Sequence, residues 1–268
     1  MENRKRLQRG EVRRRPVRGL VVSDLHCGSS WALCPPRFAI ESGVIIDQSN
    51  LMRMYWHFWN ELRRYTKSEY GQLDFLIVNG DCIDGNHPRS IEIWTANLWD
   101  QTRAAVRALE MLATLAKRVY VVLGTESHTH YFEHIIAKEI GAVPATPEAH
   151  AFKNLSVEIA GRLIYATHHM PTGAANPEGT LAKEARAHRV ASAEFGERTP
   201  DIVCLAHRHH PGVTGNYQGW AIATPAWQAD NRFVNKVAPS ARWVVGGAFI
   251  HLERRREYVE RWFRRPPP

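Results

Sequence analysis

Apolar and polar positions fall into two alternating patterns along the chain. Five short runs are almost continuously apolar and close on acidic or imidazole side chains: GLVVSDLH (19–26), DFLIVNGD (74–81), VYVVLGTESH (119–128), RLIYATHH (162–169) and DIVCLAHRH (201–209). Runs this short, rich in Val, Ile, Leu and Tyr, predict buried strands. Between them apolar residues recur at helical spacing. Residues 50–66 carry Leu51, Met54, Tyr55, Phe58 and Leu62 in this way, and residues 93–117 carry Leu98, Val106, Leu109 and Leu112. Further helices are expected at about 131–140 and 179–195. Segments 211–224 and 242–252 read as additional strands joined in hairpins, and Pro35-Pro36 and Pro171-Thr172-Gly173 mark loops. Strands alternating with helices predict a layered α/β fold.

Composition narrows this picture. A chain of 268 residues, 44% hydrophobic and 23% charged, can bury the core of one large domain. No apolar run approaches the roughly 20 residues of a membrane span, so no membrane partner is expected. The opening MENRKRLQRGEVRRRPVRG lacks the apolar segment of a secretory signal, which points to a cytoplasmic protein. The net charge of +8 is concentrated at the two ends. Residues 1–18 form a basic N-terminal arm, residues 253–268 a basic C-terminal strand and tail, and the chain between them is near neutral. Such ends suit a polyanion such as nucleic acid, and equally a solvated tail. Cys27, Cys34, Cys82 and Cys204 lie far apart with no C-x-x-C pair, so reduced thiols are expected.

The chemistry lies where the runs end. In open α/β sheets, ligands gather beyond the carboxyl ends of the strands, and all five runs place His, Asp or Glu there. Asp24 and His26 stand two apart, as do His207 and His209, and an extended segment would point both members of a pair to one side. Asp81 and Asp84 follow Gly80, which permits a tight turn. A lone histidine after a strand is ordinarily a satisfied surface or core group, but five such endings in order point to a shared site. Mixed carboxylate oxygen and imidazole nitrogen suit Mn²⁺, Fe or Zn²⁺ better than Mg²⁺ or Ca²⁺. A carboxylate bridging two ions is what a two-metal hydrolytic site needs.

The succession Asp24-Leu25-His26, Gly80-Asp81-Cys82-Ile83-Asp84, Gly124-Thr125-Glu126-Ser127-His128, His168 and Ala206-His207-Arg208-His209 resembles the calcineurin-like metallophosphoesterases. Their pattern is D-x-H, G-D-x-x-D, G-N-H-D/E, a lone H and G-H-x-H. The resemblance covers about residues 20–210 and implies a four-layer α/β/β/α sandwich, with the domain at 19–252, and a centre of two divalent metal ions. By position, Asp24, His26 and His209 would hold the first ion, Asp81 would bridge, His168 and His207 would help hold the second, and Asp84 would orient the catalytic histidine. Ala206 stands in place of a glycine. The larger departure is Gly-Thr-Glu-Ser-His in place of Gly-Asn-His. The preferred assignment makes Glu126 the second-metal ligand and His128 the general acid. Thr125, a neutral alcohol, is the poorer ligand, and His128 as ligand with His130 as acid is the remaining option. Glu126 has an alternative reading as an acidic residue favoured near a helix start.

The resemblance implies hydrolysis of a phosphoester by a hydroxide between two metals, as in a phosphatase or phosphodiesterase. A nuclease acting through the same site and a non-catalytic scaffold on a degenerate fold are the alternatives. Asn86, His87 and Arg89 follow Asp81 closely; Asn86 and Arg89 are the candidates for contacting a substrate phosphate, with a solvated loop as the plain alternative. His130 and His134 are spaced for one helix face. His169 and His210 adjoin proposed ligands, and Arg208 should point away from them. The nine tryptophans read as core.

Overall fold

The computed structural model describes residues 15–86, 92–129, 131–170, 177–229, 244–253 and 257–265. In chain order the elements are β1 (Val17–Val22), β2 (Phe38–Ala39), β3 (Ile45–Ile46), α1 (Asn50–Tyr70), β4 (Phe75–Asn79), α2 (Leu98–Ala113), β5 (Val119–Val122), α3 (Phe132–Glu139), β6 (Leu155–Ile159), β7 (Arg162–Ala166), α4 (Pro177–Glu194), β8 (Ile202–Leu205), β9 (Gly212–Asn216), β10 (Gly219–Ala223), β11 (Val245–Leu252) and β12 (Glu257–Arg264).

Two five-stranded sheets carry the fold. The first has the order β12-β11-β1-β4-β5 and the second β6-β7-β8-β10-β9. The centre of each is parallel: β1 pairs with β4 and β4 with β5, while β7 pairs with β8 and β8 with β10. Antiparallel hairpins complete them: β11 pairs with both β1 and β12, β6 with β7, and β9 with β10. Strand alternation divides the side chains between layers. Leu20 and Val22 of β1 and Leu76 and Val78 of β4 face Tyr55, Trp59 and Leu62 of α1 and Ala105, Leu109 and Leu112 of α2. Val21, Phe75, Ile77, Tyr120 and Val122 point the other way, onto Leu155, Ile164, Ile202 and Ile222 of the second sheet. The outer face of that sheet, through Val203, Leu205, Ala221 and Ala223, packs on Leu181 and Ala185 of α4. The result is a four-layer α/β/β/α sandwich.

Local sequence explains the boundaries. Ser49 caps α1 by accepting from the Met52 amide at 3.2 Å, and Gly71 ends that helix at φ 68°. Asn97 caps α2, accepting from the Trp99 amide at 2.9 Å, so the helix starts later than the apolar spacing at 93 suggests. The apolar pattern does not reveal β6: its LSVEI alternates buried and open positions, and the strand is fixed by a two-residue turn in which Ala160 and Gly161 take φ 53° and 79°. At the far end, the Tyr65 and Tyr70 hydroxyls donate to Glu260 at 2.5 and 2.8 Å, tying α1 to β12. No described helix is long and apolar enough to cross a membrane.

Candidate metal centre

The loops after β1, β4, β5, β7 and β8 leave the carboxyl ends of parallel strands and converge between the two sheets. Asp24, His26, Asp81, His207 and His209 take φ of 51°, 46°, 50°, 72° and 59°. Left-handed backbone is costly for residues with a Cβ and persists where the surroundings dictate it. The Asp24/His26 and His207/His209 pairs therefore reach a common point by tight left-handed turns and not by the extended backbone their spacing suggests. Ala206, absent from the left-handed residues, occupies the glycine position without strain and donates its amide to the His168 carbonyl at 3.1 Å. Gly80 (φ 81°) is tied to its place because a Cβ there would lie 2.7 Å from the Gly124 Cα and collide with the His168 ring.

Among the described residues the side chains form three groups, in each of which the ligand atoms lie within 4.8 Å of one another: Asp24, His26 and His209; Asp81, His168 and His207; and His26, Asp84 and His128, which shares His26 with the first. In the first, His26 Nε2 and His209 Nε2 are 3.1 Å apart, and they stand 3.9 and 3.5 Å from Asp24 Oδ1. In the second, Asp81 Oδ2 is 3.0 Å from His168 Nε2 and 4.0 Å from His207 Nδ1. Metal–ligand bonds near 2.1 Å in a tetrahedral shell put neighbouring ligand atoms about 3.4 Å apart, which these separations bracket.

The hydrogen bonds orient the donors for this purpose. Asp24 Oδ2 accepts from the Ser23 hydroxyl and, at 3.4 Å, from the His207 amide, while Asp24 Oδ1 is buried without a hydrogen-bond partner. His168 donates from Nδ1 to the Asn79 carbonyl at 2.7 Å, which leaves Nε2 aimed at the acidic pair. Asp24, Asp81, Asp84 and Glu133 are all at most 1% exposed, a concentration of buried carboxylate that needs a cation. A divalent metal therefore fits the residues present.

Their electrostatics divide the ligands into two kinds. Burial raises the Asp24 pKa, and the net shift stays upward although His168 opposes it. Burial acts on Asp81 in the same sense, but His168 and His26 outweigh it and hold that carboxyl below its ordinary value. Burial disfavours the His168 cation, yet Asp81 and Asp24 raise its pKa. Burial, reinforced by His168, brings His207 down to about 4, and burial with His26 holds His209 well below its usual range. His207 and His209 are thereby held in the neutral form a metal requires, whereas without a metal the neighbouring carboxylates, against the effect of burial, favour the cation at His26 as they do at His168.

The departure from Gly-Asn-His resolves into three separate positions. Thr125 takes the place facing the centre: its amide donates to Asp81 Oδ1 at 2.7 Å and its hydroxyl lies 3.0 Å from the same oxygen. Glu126 is exposed and lies outside all three groups. His128 donates from Nδ1 to the Asp84 carbonyl at 2.6 Å and packs edge-on to His26, ring centroids 4.8 Å apart. Asp84 thus steadies His128 through its backbone, while its carboxylate lies 3.2 Å from His26 Nδ1 and accepts from Gln228 at 2.9 Å. Asn86 is exposed, and His87, Arg89 and His130 lie outside the described residues, as does the basic arm through residue 14. His134 belongs to none of the three groups and accepts from the Ala151 amide at 3.0 Å.

Four contributors escape a reading by motif. Glu133 of α3 is fully buried and accepts from the Cys82 amide at 3.2 Å and from the Gly124 amide, so one carboxylate joins the loops after β4 and β5. Burial, with repulsion from Asp81, raises its pKa to about 7. Gln228 braces Asp84. Thr224 lies 2.6 Å from Ser23 Oγ and, because the Ser23 proton goes to Asp24, serves as the donor. Their partners are backbone amides or side chains remote in sequence, so only the adjacency of Ser23 to Asp24 offers any signal.

No protein-family model matches the chain. No curated protein matches it either. Solved structures do align along nearly its whole length. An archaeal phosphodiesterase is 10% identical, with 92% of this chain and 100% of that one covered and a TM-score of 0.46. Zinc-complexed Vps29 from Entamoeba histolytica is 12% identical over 92% and 99%, TM-score 0.45. Vacuolar protein sorting 29 from Cryptosporidium parvum is 14% identical over 94% and 99%, TM-score 0.48.

Proposed function

We propose that the chain, which resembles the calcineurin-like metallophosphoesterases in motif order and layer architecture, is a metal-dependent phosphoester hydrolase. The observation that carries this reading is Asp24 Oδ1: a buried carboxylate oxygen with no hydrogen-bond partner, faced by His26, His168 and His209 Nε2 atoms at 3.9, 3.9 and 3.5 Å. Asp24, His26 and His209 would hold one divalent ion and Asp81, His168 and His207 a second, with Mn²⁺, Fe or Zn²⁺ suited to the mixed donor set. When bound, two such ions would supply an activated water at neutral pH and would neutralise charge on the phosphoryl oxygens.

The remaining chemistry falls to the chain. Donors from Ser23 and His207 on Asp24, and from Thr125 on Asp81, hold the two buried carboxyl groups in orientation. The Asp84 carbonyl fixes His128 with its Nδ1 protonated, so a second proton on Nε2 can pass to the departing oxygen. Thr125 has no amide oxygen to offer, and its hydroxyl instead holds Asp81 in orientation.

Hydrolysis of p-nitrophenyl phosphate, bis(p-nitrophenyl) phosphate and DNA tests the reading. Activity should vanish on chelation and return with Mn²⁺ or Zn²⁺, and Asp81→Asn should abolish it. His128→Ala should lower kcat by about a hundredfold on substrates with poor leaving groups, and less on p-nitrophenyl esters, whose leaving group needs little protonation. Activity that survives chelation, or an Asp81→Asn variant with undiminished turnover, would overturn it.

A further inference from the structure

One cavity borders the centre at His168. It has a volume of about 530 Å³, within the range of small-molecule sites, and its walls include Glu126, Tyr131, Lys153, Asn154, His168 and His169. His168 belongs to the Asp81 group, so the cavity adjoins that side of the centre. His128 does not line it and packs against His26, which belongs to the Asp24 group. The group that protonates a leaving oxygen and the room for a large substituent therefore lie on different sides.

We propose that the substrates are phosphodiesters and that this cavity seats the ester arm retained on the phosphate, a nucleoside or a similar polar aromatic group. The inference rests on the reading of the centre as a phosphoester hydrolase. In a monoester the one organic group departs and must lie toward His128, which leaves the cavity without a role. In a diester the second arm points elsewhere. The walls match a nucleoside chemically. Tyr131 is 66% exposed and presents a ring for stacking. Lys153 and Asn154, both exposed, offer a cation for a further phosphate and an amide for a base edge. Glu126 supplies an acceptor for a sugar hydroxyl or an exocyclic amine. This also gives the acidic residue of Gly-Thr-Glu-Ser-His a place: it faces the substrate arm.

Two measurements test the proposal on the full chain. The first compares thymidine 5′-(p-nitrophenyl phosphate) with p-nitrophenyl phosphate. The ratio of their kcat/KM values should favour the diester and fall about tenfold in Tyr131→Ala, chiefly through KM. Activity confined to the monoester, or an equal loss on both substrates, overturns the proposal. The second is calorimetric binding of thymidine 5′-monophosphate and thymidine 3′,5′-bisphosphate, which needs no turnover. Tyr131→Ala should weaken both about tenfold, whereas Lys153→Ala should weaken only the bisphosphate to that extent. Binding that neither variant changes overturns the cavity assignment even in an active enzyme. If turnover is absent but binding responds to both variants, the hydrolase reading falls and the nucleotide site stands.

Discussion

At the scale of single residues, Glu133 joins stability to the centre most directly. Its carboxyl is fully buried, takes amides from the Cys82 and Gly124 loops, and has a pKa raised from 4.5 to about 7. A carboxyl raised on folding contributes stability that is fully present below the unfolded value and lost as pH climbs through the folded one. In the metal-free protein this cost should therefore accumulate between pH 4.5 and about 7, on the order of 3 kcal/mol. Glu133→Gln keeps the shape without the charge, so its stability relative to wild type, measured by urea denaturation, should rise with pH across that window. A flat difference would show that Glu133 does not carry the shift. Sequence alone showed Asp24, His26, Asp81, His168, His207 and His209 as potential ligands because each closes an apolar run. Glu133 sits inside a helix, and its partners are backbone amides 51 and 9 residues away; no spacing rule reaches such a contact. Glu126 was legible as an acidic group near the site, but whether it or Thr125 turns inward depends on the path of one loop.

At the scale of elements, five strand ends act together because glycines let two of the loops touch. Gly80 holds φ 81° beneath the His168 ring, and Gly124 approaches the Asp81 backbone so closely that a Cβ on it would overlap Asp81. Gly80→Ala meets both a left-handed backbone and a backbone collision. It should cost at least 1–2 kcal/mol and displace Asp81 from His168, lowering the melting temperature and metal affinity together. Loss of stability with metal affinity intact would argue that the two loops are not coupled in this way. The buried parallel strands β1, β4, β5, β7 and β8 were legible as continuous apolar runs, and α1 and α2 as recurring apolar positions. The hairpin strand β6 was not, because an edge strand open on one side has a mixed pattern set by its turn and its neighbour. Helix starts moved where Asn97 supplied a cap.

At the scale of the whole molecule, two parallel cores are stacked so that their carboxyl ends share one edge, and that edge holds the site. The sheets meet through Val21, Ile77 and Tyr120 on one side and Ile164, Ile202 and Ile222 on the other, so no chain segment needs to move to bring Asp24 to His207. Such a preformed centre should bind metal without a large folding change. The architecture followed from strand–helix alternation and the motif order, whereas the partner sheets for each strand did not, since register between distant strands leaves no local trace. Elemental analysis of the purified protein after loading with Mn²⁺ or Zn²⁺ and removal of excess metal tests the central claim most directly. About two equivalents per chain are expected for wild type, as a two-ion centre requires, and close to one each for Asp24→Asn and His207→Ala. Metal content well below one equivalent in wild type, or unchanged in both variants, would contradict a centre built from these residues.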